Sequence, residues 1–212
     1  MEAFHYQYHP LAKRLVEIVQ SGELGNITDI DINFAAPLAR PGDIRYRIEL
    51  AGGATMDMGC YPVSLLRLLT PGPRVTHAAA KLSSPGVDRA MDAHFSLPDG
   101  GTARVRCSMF SSSLLRIRAD VTGTEGTLHV FNPFAPHMFH RVRVTTPSGT
   151  RKERFSRRAT YDYQLEAFTN AIEQQTTVPT NATDAIRTME LIDSIYVAAG
   201  LPVRQPTPPG GN

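Results

Sequence analysis

At 212 residues, 42% hydrophobic and 20% charged, the chain has the size and composition of one soluble globular domain, or one domain with a small appendage, and can bury a core without staples. Its net charge of +2, from 22 basic and 20 acidic residues, gives no ground for a nucleic-acid or membrane-surface partner. No run of 18 apolar residues occurs that could span a bilayer, and the N-terminal MEAFHYQYHP does not read as a signal peptide.

The alternation of Phe4, Tyr6 and Tyr8 predicts a short strand over Glu2 to Tyr8, ended by His9-Pro10. Leu11, Leu15, Ile18 and Val19 share a helical face, so a helix follows and stops at Ser21-Gly22. NITDIDINFAA alternates through Ile30, Ile32 and Phe34 and reads as a strand. PLARPGDIRYRIEL, with two prolines and three arginines, is a lid-like loop. In AGGATMDMGCYPVSLLRLL, small residues lead into Met56, Cys60, Val63, Leu66 and Leu69, which predicts a helix bent at Pro62. From residue 73 to 155 the pattern turns to strands: RVTHAAAKLSS, DRAMDAHFSL, TARVRCSMF, LLRIRADVTG, TLHVF, HRVRVTT and TRKERF, with PDGG as a hairpin turn. Two helices close the chain, one with a stripe of Tyr163, Phe168, Ala171 and Ile172, the other with Ala185, Met189, Ile192, Ile195 and Tyr196. Residues 1–204 are thus expected to form one domain and 205–212, QPTPPGGN, a disordered tail.

Segregated strands and helices define an α+β class: a large, mostly antiparallel open sheet with helices packed on one face. RVTHAAAKL is apolar enough that the other face is expected to meet a second copy, as a homodimer or higher oligomer. The basic run RKERFSRR reads as a solvated strand edge, with a phosphate-binding patch as the alternative. Two cysteines, Cys60 and Cys107, make no disulfide framework, and a reducing, cytoplasmic setting is expected.

Asp57 and Tyr61 stand four residues apart and share a helical face. A carboxylate suits a first helical turn, and Gly52 and Gly53 just before it allow a backbone or flat ligand to approach. A phenol, with a free pKa of about 10, needs a cation beside it to exchange protons near neutrality. The same residues have a plainer reading, in which Asp57 caps the helix and Tyr61 fills the core, and spacing alone leaves both open. His5 is a candidate for a cleft, and His9 before Pro10 a turn residue. Arg45 and Arg47 could reach a substrate or a cofactor phosphate, or lie in a solvated loop. His129, His137 and His140 have a spacing that invites a metal, but no carboxylate or cysteine completes the set, so none is expected.

GGATMDMGCYPVSLLRLL resembles the signature helix of the glucose–fructose oxidoreductase / inositol dehydrogenase (Gfo/Idh/MocA) family. MEAFHYQYHPLAKRLVEIVQSGELGNI resembles the segment that follows the nucleotide-binding domain there, VTGTEGTLHVFNPF a later strand-turn-strand, and TDAIRTMELIDSIYVAAGLPV the closing helix. Together these cover nearly the whole chain, and Asp followed four residues on by Tyr matches the dihydrodiol dehydrogenase and glucose–fructose oxidoreductase branch. The resemblance implies hydride transfer between NAD or NADP and a sugar, polyol or diol. It makes Tyr61 the acid/base and Asp57 a substrate contact. Beside them, His5 and Arg45 are read as further substrate contacts, and Gly52 and Gly53 as the side open to the cofactor. Two positions depart from the family: Gln7 stands where an arginine is frequent, and Ala51 opens a triplet that is otherwise all glycine.

No GxGxxG follows a strand, and no Glu-Lys-Pro segment supplies the lysine that lowers the tyrosine's pKa in the family. The chain is therefore expected to be a C-terminal substrate and dimerisation domain, with the Rossmann domain absent and no activity by itself. A standalone, non-catalytic module that binds a sugar-like ligand or a partner is the alternative.

Overall fold

A computed structural model describes residues 1–38, 42–110 and 115–205. Eight strands form one sheet: β1 (Ile27–Ala35), β2 (Arg74–Ser84), β3 (Val87–Ser96), β4 (Thr102–Ser108), β5 (Arg116–Gly123), β6 (Thr127–Phe131), β7 (Arg141–Thr146) and β8 (Gly149–Glu153), in the order β2-β3-β4-β1-β5-β6-β7-β8. β1 lies between β4, to which it runs parallel with Ile32 opposite Val105, and β5, to which it runs antiparallel with Ile32 opposite Ala119. The other neighbours are antiparallel. A parallel pair cannot be closed by a tight turn and needs a long crossover. Here the crossover between β1 and β4 carries the helix with Asp57 and Tyr61, which places that helix over the middle of the sheet.

One face of the sheet is the core face. Ile30, Ile32, Phe95, Val105, Val121, Leu128 and Val144 are buried on it. Against them pack α1 (Pro10–Gln20) through Leu11, Leu15 and Ile18, α2 (Cys60–Leu69) through Val63, Leu65 and Leu66, and α4 (Ala182–Ala198) through Ile192, Ile195 and Tyr196. Each such aliphatic side chain contributes about 1.5–3 kcal/mol of burial.

The opposite face is ionic over its middle strands, not apolar as the reading of β2 led one to expect. Asp92 pairs with Arg104, Asp31 with Arg106 and Arg118, and Asp120 with Arg118 and His129. The alternation that buries one face forces the other set of residues outward, and in β1, β3, β4 and β5 that set is charged.

Two further expectations are corrected. Glu2 to Tyr8 is not a strand: it runs as coil into a 3-10 turn over His5–Tyr8. Phe4, His5, Tyr6 and Tyr8 are all buried, so the apparent alternation marked no solvent face. The stripe on α3 (Thr160–Glu173) points outward, with Phe168 46% and Ile172 62% exposed, because this helix packs chiefly on the 3-10 turn and not on the sheet. Of the expected tail, 206–212 lie outside the described residues, as do 39–41 of the loop and 111–114 ahead of β5.

Candidate functional site

The helix with Asp57 and Tyr61 begins as a π-helical stretch, Thr55–Gly59, and continues as α2 from Cys60. Pro62 has no N–H and its ring would clash with the carbonyl of residue 58 in a regular α-helix. The wider turn just upstream absorbs that conflict, so the proline widens the helix ahead of itself.

The start of the helix is held from below by a buried polar knot. Asp88 on β3 is fully buried. Its Oδ2 accepts the Thr55 backbone N–H at 2.8 Å and the Thr55 hydroxyl at 2.7 Å. Its Oδ1 accepts the Tyr196 hydroxyl at 3.1 Å and lies 3.3 Å from Arg204 Nη2. Arg204, its side chain 6% exposed, also donates to the carbonyls of Gly52 and Gly86, and its guanidinium lies over the Tyr196 ring at 4.4 Å. Burial pushes the Tyr196 phenol far up, so it stays a donor.

The glycines serve this knot. Gly53 has φ +137°, and a side chain there would collide with Asp88 Oδ1. A Cβ on Gly52 would come within 2.7 Å of the carbonyl oxygens of Arg45 and Arg47. The Gly52 and Gly53 amides donate to the carbonyls of Arg47 and Arg45, each at 2.9 Å. Ala51 sits left-handed at φ 56°, a strained position for a residue with a Cβ. Both glycines are buried, and the structure does not bring them into the cleft.

It does bring the other four candidates together. His5, Arg45, Asp57 and Tyr61 line one cleft of about 410 Å³ with Phe34, Phe134, His137 and Tyr161. Asp57, 31% exposed, holds its Oδ2 2.7 Å from Arg45 Nε, and Arg45 also reaches Asp43 at 3.1 Å. The Tyr61 ring is caged edge-on by Phe4 at 5.5 Å and by Phe34 and Phe134 at 5.7 Å. Its hydroxyl has no hydrogen-bond partner among the described residues. Burial first, then neighbouring Cys60, pushes the phenol up to about 12. The His5 ring lies tilted against Tyr161 with centroids 4.1 Å apart, and its buried Nδ1 has no partner among the described residues. Burial, then His137, pulls its pKa down to about 4, so the ring is neutral at ordinary pH. A second cavity of about 360 Å³, lined by Glu2, Phe4, Met56, Cys60 and Met189, meets Asp57 and Tyr61 from the other side. The pair stands on the ridge between the two.

His137, Tyr161 and the Phe34–Phe134 stack belong to the cleft without having been singled out for it. Buried Asn132, at φ 53°, is what brings Phe134 and His137 there. Its side chain accepts the Ala135 N–H and donates to the carbonyls of Ala135 and Phe139, winding a tight loop. The Asn-Pro pair in FNPF was the available signal. The histidines of the metal reading have other partners: His129 with Asp120, His137 with Thr160, and His140 with the Pro136 carbonyl and the Phe155 N–H. Among the described residues no group of three or more His, Cys, Asp or Glu side chains could hold a metal ion. His9 caps α1: Nδ1 accepts the Leu11 N–H at 3.1 Å and Nε2 donates to the Ser156 carbonyl at 3.0 Å. Arg47 pairs with Glu49 and is not among the residues lining the cleft.

An open eight-stranded sheet with helices on one face and a cleft over its crossover helix is a fold shared with solved oxidoreductases. Levoglucosan dehydrogenase in complex with NADH and levoglucosan superposes with a TM-score of 0.83 at 18% identity, over 94% of this chain and 63% of that one. Aldose-aldose oxidoreductase from Caulobacter crescentus, complexed with glycerol, also gives 0.83, at 20% identity over 93% and 61%. A family model described as the GFO/IDH/MocA C-terminal domain matches residues 12–129, and the chain belongs to that family. D-xylose 1-dehydrogenase (NADP(+)) 2 of Haloferax volcanii is 34% identical over 203 residues, 94% of this chain and 62% of that protein. Trans-1,2-dihydrobenzene-1,2-diol dehydrogenase of Xenopus tropicalis is 27% identical over 133 residues, 61% of this chain and 39% of that protein. The chain thus spans less than two thirds of the length of these relatives. No helix among the described residues is long and apolar enough to cross a membrane.

Proposed function

We propose that the chain is the substrate-holding domain of an NAD(P)-dependent oxidoreductase acting on a sugar, polyol or diol. One observation carries this reading: the Tyr61 hydroxyl, with no partner among the described residues, stands beside an aromatic cleft, one helical turn from the Asp57–Arg45 pair. The aromatic wall suits the C–H face of a ring, and Asp57 with Arg45 offers an acceptor and donors to hydroxyl groups. The names of the relatives, a xylose dehydrogenase and a diol dehydrogenase, support the same class.

The nicotinamide cofactor, when bound, supplies or takes up the hydride. The part of Tyr61 is the proton. In reduction its O–H donates to the carbonyl oxygen; in oxidation its oxygen takes the proton of the alcohol. With the phenol pushed up to about 12, Tyr61 is protonated at neutral pH and ready as an acid. To act as a base it needs a cation beside it. Arg45 is engaged by Asp57 and Asp43, and the family resemblance assigns that cation to a lysine of the nucleotide-binding domain. The described residues offer no dinucleotide cradle at Gly52 and Gly53, whose amides are already bonded, so the grip on the cofactor lies outside them as well.

Reading the DNA ahead of the Met1 codon is the first test. An in-frame βαβ segment with GxGxxG and Glu-Lys-Pro supports the proposal, and a close stop codon favours the non-catalytic ligand-binding module. In the enzyme carrying that segment, Tyr61→Phe is expected to lower kcat by about 10²–10⁴-fold with little change in KM. Steady-state assays with aldoses, polyols and trans-diols check this, and an unchanged kcat removes Tyr61 from the chemistry. The 212 residues alone are expected to show no NADPH binding in a fluorescence titration.

A further inference from the structure

At the edge of the sheet, along the paired strands β7 and β8, lies a concavity of about 600 Å³, lined by the cations Arg141, Arg143, Lys152, Arg154 and Arg157, with His140 and Glu153. In the β7–β8 ladder, Val142 lies opposite Glu153 and Arg143 opposite Lys152, and the same register carried one step further sets Arg141 against Arg154. The core-side positions are accounted for: Val142 and Val144 are buried, and Glu153 accepts from Arg14 at 3.0 Å and Arg151 at 2.8 Å. The outward positions are Arg141, Arg143, Lys152 and Arg154, all exposed. None of them has a carboxylate within 4.0 Å among the described residues.

That is a departure from the middle strands of the same face, where outward charges of opposite sign pair, as in Asp92–Arg104 and Asp31–Arg106. Like charges opposite each other across strands repel and destabilise a sheet. Facing positions lie about 5 Å apart, and alternate residues along a strand about 7 Å apart. The two cross-strand pairs therefore crowd their cations around one small area. The rim is held in place: His140 donates from Nδ1 to the Pro136 carbonyl at 2.8 Å and accepts the Phe155 N–H on Nε2 at 3.0 Å, while Arg157 donates to the Met138 carbonyl at 3.0 Å.

We propose that this mouth binds a small, multiply charged anion of the phosphate class, either inorganic or carried on a phosphorylated metabolite. Guanidinium forks match phosphoryl oxygens in pairs, and such an anion would neutralise the repulsion between the two rungs. The site is concave and of small-molecule size. A net charge of +2 for the whole chain gives little of the counter-ion release on which polynucleotide binding runs. The proposal is independent of the reading of the Tyr61 cleft.

The test is calorimetric titration of the full chain with sodium pyrophosphate and with glucose 6-phosphate in 150 mM salt. Saturable one-to-one binding is expected with at least one of them. Arg143→Gln/Lys152→Gln should weaken it at least tenfold, and Arg74→Gln, at another exposed sheet cation, should leave it unchanged. Thermal melts give a second readout. Without anion the double variant should melt higher than the wild type, because a repulsion is gone, and pyrophosphate should raise the melting temperature of the wild type alone. Absence of saturable binding, equal weakening by Arg74→Gln, or tighter binding of short duplex DNA than of pyrophosphate would overturn the proposal.

Discussion

Asp88 and Asp57 serve the same helix from two sides. Asp88, fully buried beneath the first π-helical turn, has both oxygens filled by Thr55, Tyr196 and Arg204. Asp57, one turn along and 31% exposed, faces the cleft with a single cationic partner. A saturated, dry carboxylate can only hold structure, since any change in its partners leaves a buried charge behind. A partly wet one with one ion pair can exchange that partner for a ligand at small cost. The difference separates the residue that builds the site from the one that is offered to a substrate.

The strongest way to test that contrast is to remove the buried carboxylate. Asp88→Ala should lower stability by about 3–5 kcal/mol, because Arg204 and the Thr55 donors are left buried without their acceptor. Denaturant unfolding of the two chains measures it, and a change below about 1 kcal/mol would show that the knot does not hold the helix.

A smaller effect is expected from pH. The His5 pKa in the fold, about 4, lies below the ordinary imidazole value of about 6.5, so between these two values the unfolded chain binds the extra proton. The contribution of His5 is therefore complete above about pH 6.5 and is lost as pH falls towards 4. Above about pH 6.5 the difference in melting temperature between wild type and His5→Phe should be constant, and as pH falls towards 4 the wild type should lose stability relative to the variant. Parallel curves would show that the ring is not held neutral.

The smallest effect belongs to Asp57. Asp57→Asn should change stability by less than about 1 kcal/mol, as for other partly exposed ion pairs. In the enzyme carrying this domain, the same substitution is expected to raise KM for the sugar or diol. A large loss of stability with unchanged KM would move Asp57 to the structural side of the comparison.

Most of the elements were legible in the sequence, and for one reason. The strands from β3 to β7 and the helices α1 and α4 bury one side and leave the other more open, so burial prints a period of two or 3.6 into the chain. Where that premise failed, the reading failed. The segment around Phe4, Tyr6 and Tyr8 is buried on every side, and α3 shows its apolar stripe to solvent. Asp57, Tyr61 and Arg45 could be named because they lie in or near one recognisable stretch, and His5 because it lies in the recognisable segment that opens the chain.

Their meeting in one cleft, and the arrival of His137 and Tyr161 from a distant loop and helix, is a matter of chain crossing. So are the Asp88–Arg204 knot, closed between residues 116 apart in the chain, and the unrelieved cations at the mouth of β7 and β8. Local pattern determined which residues turn inward and which element each belongs to. Only the tertiary structure decided which polar groups find partners across the sheet, because that depends on strand order and register, and neither is written in any one segment.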